Sequence, residues 1–267
     1  MSRILSLVFV LLVSARITYP SFAQEQEKDN LLPVLTNNAF QVGEKLEYRL
    51  HYGFVDAGTA TISVQEEIEI HGRKTLHVVG EGKSNRFFSF FFKVRDKYES
   101  YIDAKGIFPL KFVRRVNEGG FKLSQDYIFN PDTKTVDNGK GEEFDVPVDV
   151  QDMISAFYRA RVNDYTNAQP GDIFGMETFI DDEIWPAQMK YLGTETIKVE
   201  TGTYHCLKFA PVVQKGRIFK DEEDLVVWIS NDENKIPIQA QAKILVGSVK
   251  MDLVSYEGLK NPIAKLK

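Results

Sequence analysis

The side chains that could do chemistry in this sequence are carboxylates, and their spacing predicts no active site. They cluster at residues 181–183 and 221–224. Two carboxylates can act as acid and base in glycoside hydrolysis, but that role depends on their separation in space, which sequence does not give. Both clusters are short charged runs between apolar segments, which is typical of solvated turns. We therefore expect no catalytic residues, and a glycan-acting enzyme is the least favoured function.

Metal and cofactor sites are not predicted either. Residues 231–234 lack the turn glycine of a calcium loop and indicate a hairpin before Pro237. The sequence contains no GxSxG, P-loop or dinucleotide-binding motif, so we expect no cofactor. The histidines show neither HxH nor HExxH spacing and no cysteine partner that would suggest zinc; they are His51, His71, His77 and His205.

The single cysteine, Cys206, is predicted to be a buried and unreactive core residue. It lies in an alternating apolar run, where neighbouring side chains point to opposite faces of a strand. His205 is therefore badly placed to act as a base for Cys206. With one cysteine, no internal disulfide can form.

The first 23 residues predict export. Arg3 precedes an apolar run at residues 4–13, and small residues stand at positions 21 and 23. This is the pattern of a secretory signal peptide, and the apolar run is shorter than the roughly 20 residues that span a bilayer. We expect cleavage after Ala23, with Ala15 as the alternative site. The sequence thus predicts a periplasmic or secreted protein without a transmembrane span in its mature chain.

The charge balance excludes one class of partner. The chain has 33 basic and 38 acidic residues, with both signs well mixed along it. A mildly acidic composition argues against nucleic-acid binding and against a broadly basic membrane-binding surface.

Alternating apolar and polar residues predict a mainly β protein, with an antiparallel curved sheet or incomplete β-barrel. Following a flexible leader at 24–39, we expect one β-rich domain at 40–258. The predicted strands are residues 46–50, 59–64, 75–79, 92–102, 107–116, 122–129, 184–191, 196–200, 205–213, 225–229, 236–242 and 247–254.

One segment has the period of a helix, at about residues 149–162. Its apolar residues recur at three- and four-residue spacing, and Asp149 stands where an N-cap belongs. Tyr158 and Arg161 could present polar tips to a cavity, although a packed helix also needs such groups hydrogen-bonded.

The helix separates two halves, 40–140 and 165–258, that resemble each other. Residues 58–64 and 193–199 both read GTxTIxV, and each is followed by a glycine turn and a second strand. Tyrosine-bearing strands, through Tyr52 and Tyr191, precede them. We take this as a sign of a duplicated β unit, with chance similarity as the alternative.

Several short motifs in a fixed order resemble the bacterial domain-of-unknown-function family 3108, a family of exported proteins from Gram-negative envelopes. The resemblance covers roughly residues 40–256 and implies an envelope location and a mostly antiparallel β fold. The family has no established activity, so no catalytic residue is implied. The motifs are Gly43-Glu44-x-Leu46-x-Tyr48, Ala57-Gly58, Asp96-x-Tyr98-Glu99-Ser100-Tyr101-Ile102-Asp103, Pro109, Asp152-x-Ile154-Ser155-Ala156-Phe157-Tyr158-x-x-Arg161, Gly202-x-Tyr204-x-Cys206-Leu207-Lys208-x-x-Pro211 and Trp228-Ile229-Ser230-x-Asp232-x-x-x-Ile236-Pro237.

Residues 87–92 hold five phenylalanines, which cannot all lie on one face of a strand. The interpretation we favour from sequence is a loop across the open end of the barrel with both faces buried. The alternative is an apolar lip that meets an acyl chain or a membrane surface. On that alternative, Phe87, Phe90 and Phe91 are candidate ligand-binding residues, together with Trp228 and Tyr158.

The leading functional hypothesis is a non-catalytic periplasmic binding protein for an apolar or amphipathic envelope molecule, such as a lipid. The alternative is a structural module of envelope assembly, which would meet a protein partner through its sheet edges.

Overall fold

The computed structural model describes residues 32–212, 225–243 and 248–266. The predicted signal peptide and the acidic run at 221–224 lie outside these ranges. Within them, nearly every element is a strand, and all strands belong to one sheet.

Two six-stranded meanders make up most of this sheet. The first contains Lys45–Tyr52 (β1), Val55–Ile70 (β2), Arg73–Ser84 (β3), Arg95–Asp103 (β4), Pro109–Glu118 (β5) and Phe121–Asn130 (β6), with a one-turn helix at Phe88–Phe91 (α1). Two short strands, Thr135–Asp137 (β7) and Glu143–Asp145 (β8), and the helix Met153–Arg161 (α2) follow. The second meander contains Ile173–Ile180 (β9), Glu183–Val199 (β10), Gly202–Pro211 (β11), Leu225–Ser230 (β12), Pro237–Lys243 (β13) and Ser248–Glu257 (β14), and Lys265–Leu266 (β15) ends the described chain.

The meanders join through their first and last strands. The strand order is β8-β7-β6-β5-β4-β3-β2-β1-β14-β13-β12-β11-β10-β9, with β15 beside β11, and every pairing is antiparallel. The prediction of an antiparallel, curved, unclosed sheet is therefore confirmed.

Side chains, rather than backbone hydrogen bonds, bring the two edges of the sheet together. The ring of Phe179 on β9 lies 5.0 Å from that of Tyr127 on β6 and 5.3 Å from that of Phe144 on β8. The strands thus curl around one apolar core, with α2 packed against β4 and β9.

Because successive connections of a meander alternate between the two ends of its strands, the molecule has two distinct ends. We call one the rim end: it carries the β1–β2 turn, the β3–β4 connection with α1, the β5–β6 turn and the β9–β10 turn. We call the other the sealed end: it carries the β2–β3, β4–β5, β10–β11 and β12–β13 connections.

Helix α2 begins later than the sequence suggests. Its N-cap is Asp152 rather than Asp149: the Asp152 carboxylate accepts hydrogen bonds from the backbone of Ile154 and Ser155, each at 2.7 Å. The reason is that Gln151 is still extended and bridges Thr178 of β9. The predicted helix at 149–162 is thus confirmed as an element but shortened at its N-terminus.

The C-terminus of α2 closes the sealed end with a buried ion pair. The Arg161 guanidinium is 2.5 and 2.7 Å from the two carboxylate oxygens of Glu44, and neither side chain reaches solvent appreciably. Arg161 also donates to the backbone carbonyls of Ala39 and Asn234 and lies over the ring of Phe40. Each of its three guanidinium nitrogens donates at least one hydrogen bond, as burial of a charge requires.

The predicted flexible leader at 24–39 is wrong in its described part. Leu35 donates a backbone hydrogen bond to Lys105, and Ala39 is buried in the core. These residues pack because Phe40 and Ala39 cover the interior beside Arg161, where exposed apolar surface would cost free energy.

The duplication stays a prediction. Residues 58–64 and 193–199 both lie in the second strand of a meander, β2 and β10. However, they lie at different distances from the following turn, since Val199 ends β10 whereas β2 continues to Ile70. Tyr191 belongs to the same strand as Gly193, so the expectation that it marks a preceding strand is wrong.

Candidate functional site

The phenylalanine-rich segment forms a helical turn held by polar side chains. The Asn85 carboxamide oxygen accepts from the backbone N–H of Phe88 at 2.8 Å. The Ser84 hydroxyl contacts the Ser89 hydroxyl at 2.7 Å and accepts from the backbone of Val94 at 2.9 Å. Asparagine and serine make such local bonds readily. The turn is therefore anchored by its polar residues, and its aromatic rings are left to point elsewhere.

Most of those rings face solvent. The exposed fractions of Phe87, Phe90 and Phe91 are 64%, 85% and 70%, while Phe88 and Phe92 are half-buried. The interpretation of a loop with both faces buried is therefore wrong. The physical reason is that α1 extends beyond the strands, whereas Phe92, just after α1, lies with its ring against Gly119.

Two neighbouring turns add further exposed phenylalanines. Phe54 in the β1–β2 turn is fully exposed, and Phe121 at the start of β6 is 56% exposed. The three connections touch, since Asn85 donates to Ala57 and Gly119 donates to Lys93, both at 2.9 Å. We call Phe54, Phe87, Phe90, Phe91 and Phe121 the aromatic rim. Exposed aromatic residues in such number are typical of interaction surfaces.

Beneath the rim, the inner face of the first meander carries buried polar groups. Arg114 and Glu118 alternate along β5 with Phe112 and Val116, which belong to the core. They therefore point inward. We call the set the inner polar cluster; its members are Asp96, Tyr98, Arg114, Glu118, Gln125 and Tyr127.

The β9–β10 turn covers this cluster. The Arg114 guanidinium lies 2.9 Å from the Asp181 carboxylate, and the Tyr127 hydroxyl donates to the Asp182 carboxylate at 2.9 Å. The prediction of an ordinary solvated turn at 181–183 missed these contacts. Both aspartates have left-handed backbone conformations, with φ of 53° and 64°, a region that is uncommon for residues other than glycine but that aspartate enters more readily than most.

Burial changes the electrostatics of the cluster. It raises the pKa of Asp96, although a backbone bond from Asn117 and contacts with Glu118 and Arg114 oppose the rise. Burial also raises the pKa of Tyr98. Within the described residues, Arg114 Nε and Gln125 Oε1 have no hydrogen-bond partner. The cluster therefore contains an unpaired buried donor and an unpaired buried acceptor beneath the β9–β10 turn.

The other two predicted ligand-binding residues lie away from the aromatic rim. Tyr158 is wholly buried on α2, 4.5 Å from the ring of Phe40, and burial raises its pKa. Trp228 on β12 is buried on the inner face and donates to the Glu195 carboxylate at 3.0 Å, with Lys208 over its ring. The structure thus groups Phe87, Phe90 and Phe91 together and separates both of these residues from them.

Cys206 is completely buried, and burial raises the pKa of its thiol to about 12. In the described part of the chain, no group of histidine, cysteine and carboxylate side chains is arranged to hold a metal ion. No helix there is both long and apolar enough to cross a membrane.

The fold of this chain was matched to three solved structures. A β-barrel-like protein of family DUF1849 from Brucella abortus matches with a TM-score of 0.50 and 12% identity, over 81% of this chain and 97% of that one. A predicted lipoprotein from Parabacteroides distasonis matches with a TM-score of 0.37 and 11% identity, over 84% and 99% of the chains. A predicted exported protein with a YmcC-like fold from Bacteroides fragilis has a TM-score of 0.30 and 11% identity, over 85% and 100%.

The first of these likenesses supports a shared barrel-like fold and nothing more, because its sequence identity is low. No curated protein matches the sequence. Residues 47–254 match the family described as a protein of unknown function, DUF3108. That match covers most of the sequence, so this chain is a member of the DUF3108 family.

Proposed function

We propose that this protein is a non-catalytic binding protein for an amphipathic molecule of the cell envelope. The observation that carries the proposal is the aromatic rim lying directly above the inner polar cluster. Phe121 of the rim pairs with Glu118 of the cluster across the β5–β6 turn, so the two parts of the site meet at the end of β5.

The site suits a molecule with an apolar and a polar part. Binding sites for small molecules combine apolar walls with a few placed polar groups. Here Phe90 and Phe91 would contact the apolar part, and Arg114 with Gln125 would bind the polar part. The signal-like N-terminus supports an envelope location, where amphipathic molecules are abundant.

The sheet edges give less support to an assembly module that binds a partner by strand addition. The edge strand β8 contains three residues. The other edge strand, β9, is partly paired with the segment that leads into α2. The backbone N–H of Gln151 donates to the carbonyl of Glu177, and its carbonyl accepts from the N–H of Phe179. Short or covered edges offer little backbone to an added strand.

Native mass spectrometry of detergent-free protein, purified from cells that express the full chain, tests the proposal. We expect a noncovalent adduct with the mass of an amphiphile. The double variant Phe90→Ser/Phe91→Ser should lose the adduct and keep the thermal unfolding midpoint of the wild type.

The matched control is Val42→Ser/Leu266→Ser, which removes two exposed apolar side chains at the sealed end. It should retain the adduct. The proposal fails if wild-type protein carries no adduct and also binds no added fluorescent fatty acid.

A further inference from the structure

We propose that the rim end docks on the surface of an anionic lipid bilayer, with the phenylalanines inserted at the boundary between headgroups and acyl chains. This docking goes beyond the holding of a single ligand and does not require one.

The first support is the uneven distribution of exposed apolar side chains. Among the described residues, thirteen large hydrophobic side chains are exposed, and eight of them lie at the rim end. These are Phe54, Val55, Phe87, Phe90, Phe91, Phe121, Ile184 and Val212, and they include every exposed phenylalanine of the described chain. Such one-sided exposure is a mark of an interaction surface rather than of scattered surface residues.

The second support is the charge next to the phenylalanines. Arg86, Lys93 and Lys122 are exposed and lie within two residues of the rim. In the described ranges they form no ion pair, so their charges are available to a partner. One carboxylate, Asp56, lies equally close in sequence, and it is 3.8 Å from the Arg49 guanidinium. At the same end of the molecule, the β9–β10 turn carries Asp181 and Asp182, which lie near Arg114 and Lys140, and the exposed Glu183. The chain is acidic as a whole, but among the described residues next to the phenylalanines the unpaired charges are cationic.

The exposed phenylalanines and the neighbouring cations together favour a lipid bilayer, rather than a second copy of the chain, as the partner of the rim end. Two copies meeting rim to rim would bring like charges together, which opposes association. A bilayer with anionic headgroups attracts the cations, and phenylalanine is among the apolar side chains that interfacial segments bury at the boundary between headgroups and acyl chains. The phenylalanines protrude from three turns, so they can enter the interface without any rearrangement of the sheet.

The shortness of α1 decides the kind of membrane contact. Four helical residues cannot cross a bilayer, so the contact is peripheral and reversible. The strength of such a contact depends both on the apolar area inserted and on electrostatic attraction to the lipids. Removing the phenylalanines should therefore weaken binding to every vesicle, whereas removing the cations should weaken binding to anionic vesicles alone.

Co-sedimentation with vesicles tests the docking. Protein purified without detergent is mixed with vesicles of phosphatidylglycerol and phosphatidylethanolamine, or of phosphatidylcholine alone, and mass spectrometry checks that all variants share one N-terminus. We expect binding to the anionic vesicles that weakens with added salt. The variant Phe87→Ser/Phe90→Ser/Phe91→Ser should bind the vesicles at least about tenfold more weakly than the wild type. The variant Arg86→Gln/Lys93→Gln should lose the preference for anionic vesicles.

The control Val42→Ser/Leu266→Ser should bind like the wild type. In a second measurement, Phe90→Trp should show a blue-shifted emission that brominated lipids quench. Docking is contradicted if the wild type co-sediments with neither kind of vesicle. It is equally contradicted if the control variant loses as much vesicle binding as the triple phenylalanine variant. It is also contradicted if the wild type forms dimers that the triple variant abolishes and no vesicle binding is seen. Adduct retention without vesicles is scored separately, so failure of docking and failure of ligand binding can be told apart.

Discussion

The sealed end and the rim end of this protein use their side chains in opposite ways. At the sealed end, the Arg161–Glu44 pair is buried with its hydrogen bonds satisfied, and Phe40 covers it. At the rim end, Phe90 is 85% exposed although the same sheet supports it. The difference separates buried contacts from exposed apolar surface: the sealed end contributes to folding, and the rim end leaves its phenylalanines in solvent.

The largest effect should come from breaking the sealed end. The variant Arg161→Met leaves the Glu44 carboxylate buried without its partner, which should cost about 3–5 kcal/mol of unfolding free energy. Urea denaturation measures it. The double variant Glu44→Leu/Arg161→Met removes both charges and should recover much of the loss. A single variant as stable as the wild type would show that the pair is not buried in solution.

A smaller effect should appear in the pH dependence of α2. Burial raises the pKa of Asp152 to about 6, although hydrogen bonds from Ser100, Ser155 and Ile154 oppose the rise. An aspartate in the unfolded chain titrates near about 3.9, so the folded state binds the proton more tightly. Protonation of Asp152 therefore stabilises the folded state. This contribution to the free energy of unfolding is complete below about pH 4 and is lost as the pH rises through about 6.

The variant Asp152→Asn isolates this effect, because asparagine is an equally good N-cap. Between pH 4 and 7, the wild type should lose on the order of 2 kcal/mol of unfolding free energy relative to the variant. Urea denaturation of both proteins across that range measures the difference. Parallel pH profiles would contradict the predicted titration of Asp152.

The contact between Gly119 and Phe92, just after α1, should make the free energy of unfolding sensitive to a methyl group added at residue 119. Gly119 has a φ of +55°, and a Cβ atom there would lie 2.3 Å from the Phe92 ring. Gly53 has a φ of +57° with nothing within 4 Å, so it is a matched control. We expect Gly119→Ala to destabilise by about 1 kcal/mol more than Gly53→Ala. Equal losses in urea denaturation would mean that the contact with Phe92 contributes nothing.

The smallest effect on stability should come from the rim itself. Because Phe90 is exposed, Phe90→Ser should change the unfolding free energy by less than about 0.5 kcal/mol. Phe112, which is 2% exposed, provides the contrast: Phe112→Ser should cost about 3 kcal/mol or more. Thermal and urea unfolding of the two variants compare core and rim directly. A large loss with Phe90→Ser would show that the rim is part of the core.

Half-buried strands were predictable because their alternation is written in the sequence. The predicted segments at 107–116 and 122–129 match β5 and β6 closely. Residues 173–180 were missed, since this edge strand has no clear alternation. Residues 184–191 and 196–200 were predicted as two strands but lie in one, because β10 continues through a β-bulge between Tyr191 and Gly193.

The inner polar cluster was missed although a signal for it exists. Arg114 and Glu118 share the parity of Phe112 and Val116, so charged residues stand on an apolar face. A conflict of this kind indicates a buried polar site rather than a solvent-facing one. The partners of Arg114 could not be predicted, because Asp181 lies far away in the sequence and reaches it only after the sheet has curled.

The sequence by itself determined the antiparallel β architecture, the helix between the meanders and the family, because these follow from local periodicity and motif order. Only the tertiary structure decided which apolar residues are core and which are rim. The phenylalanines of residues 87–92 have the composition of a core segment. Phe87, Phe90 and Phe91 nevertheless face solvent because the strands end beneath them, and burial depends on neighbours that only the folded sheet supplies.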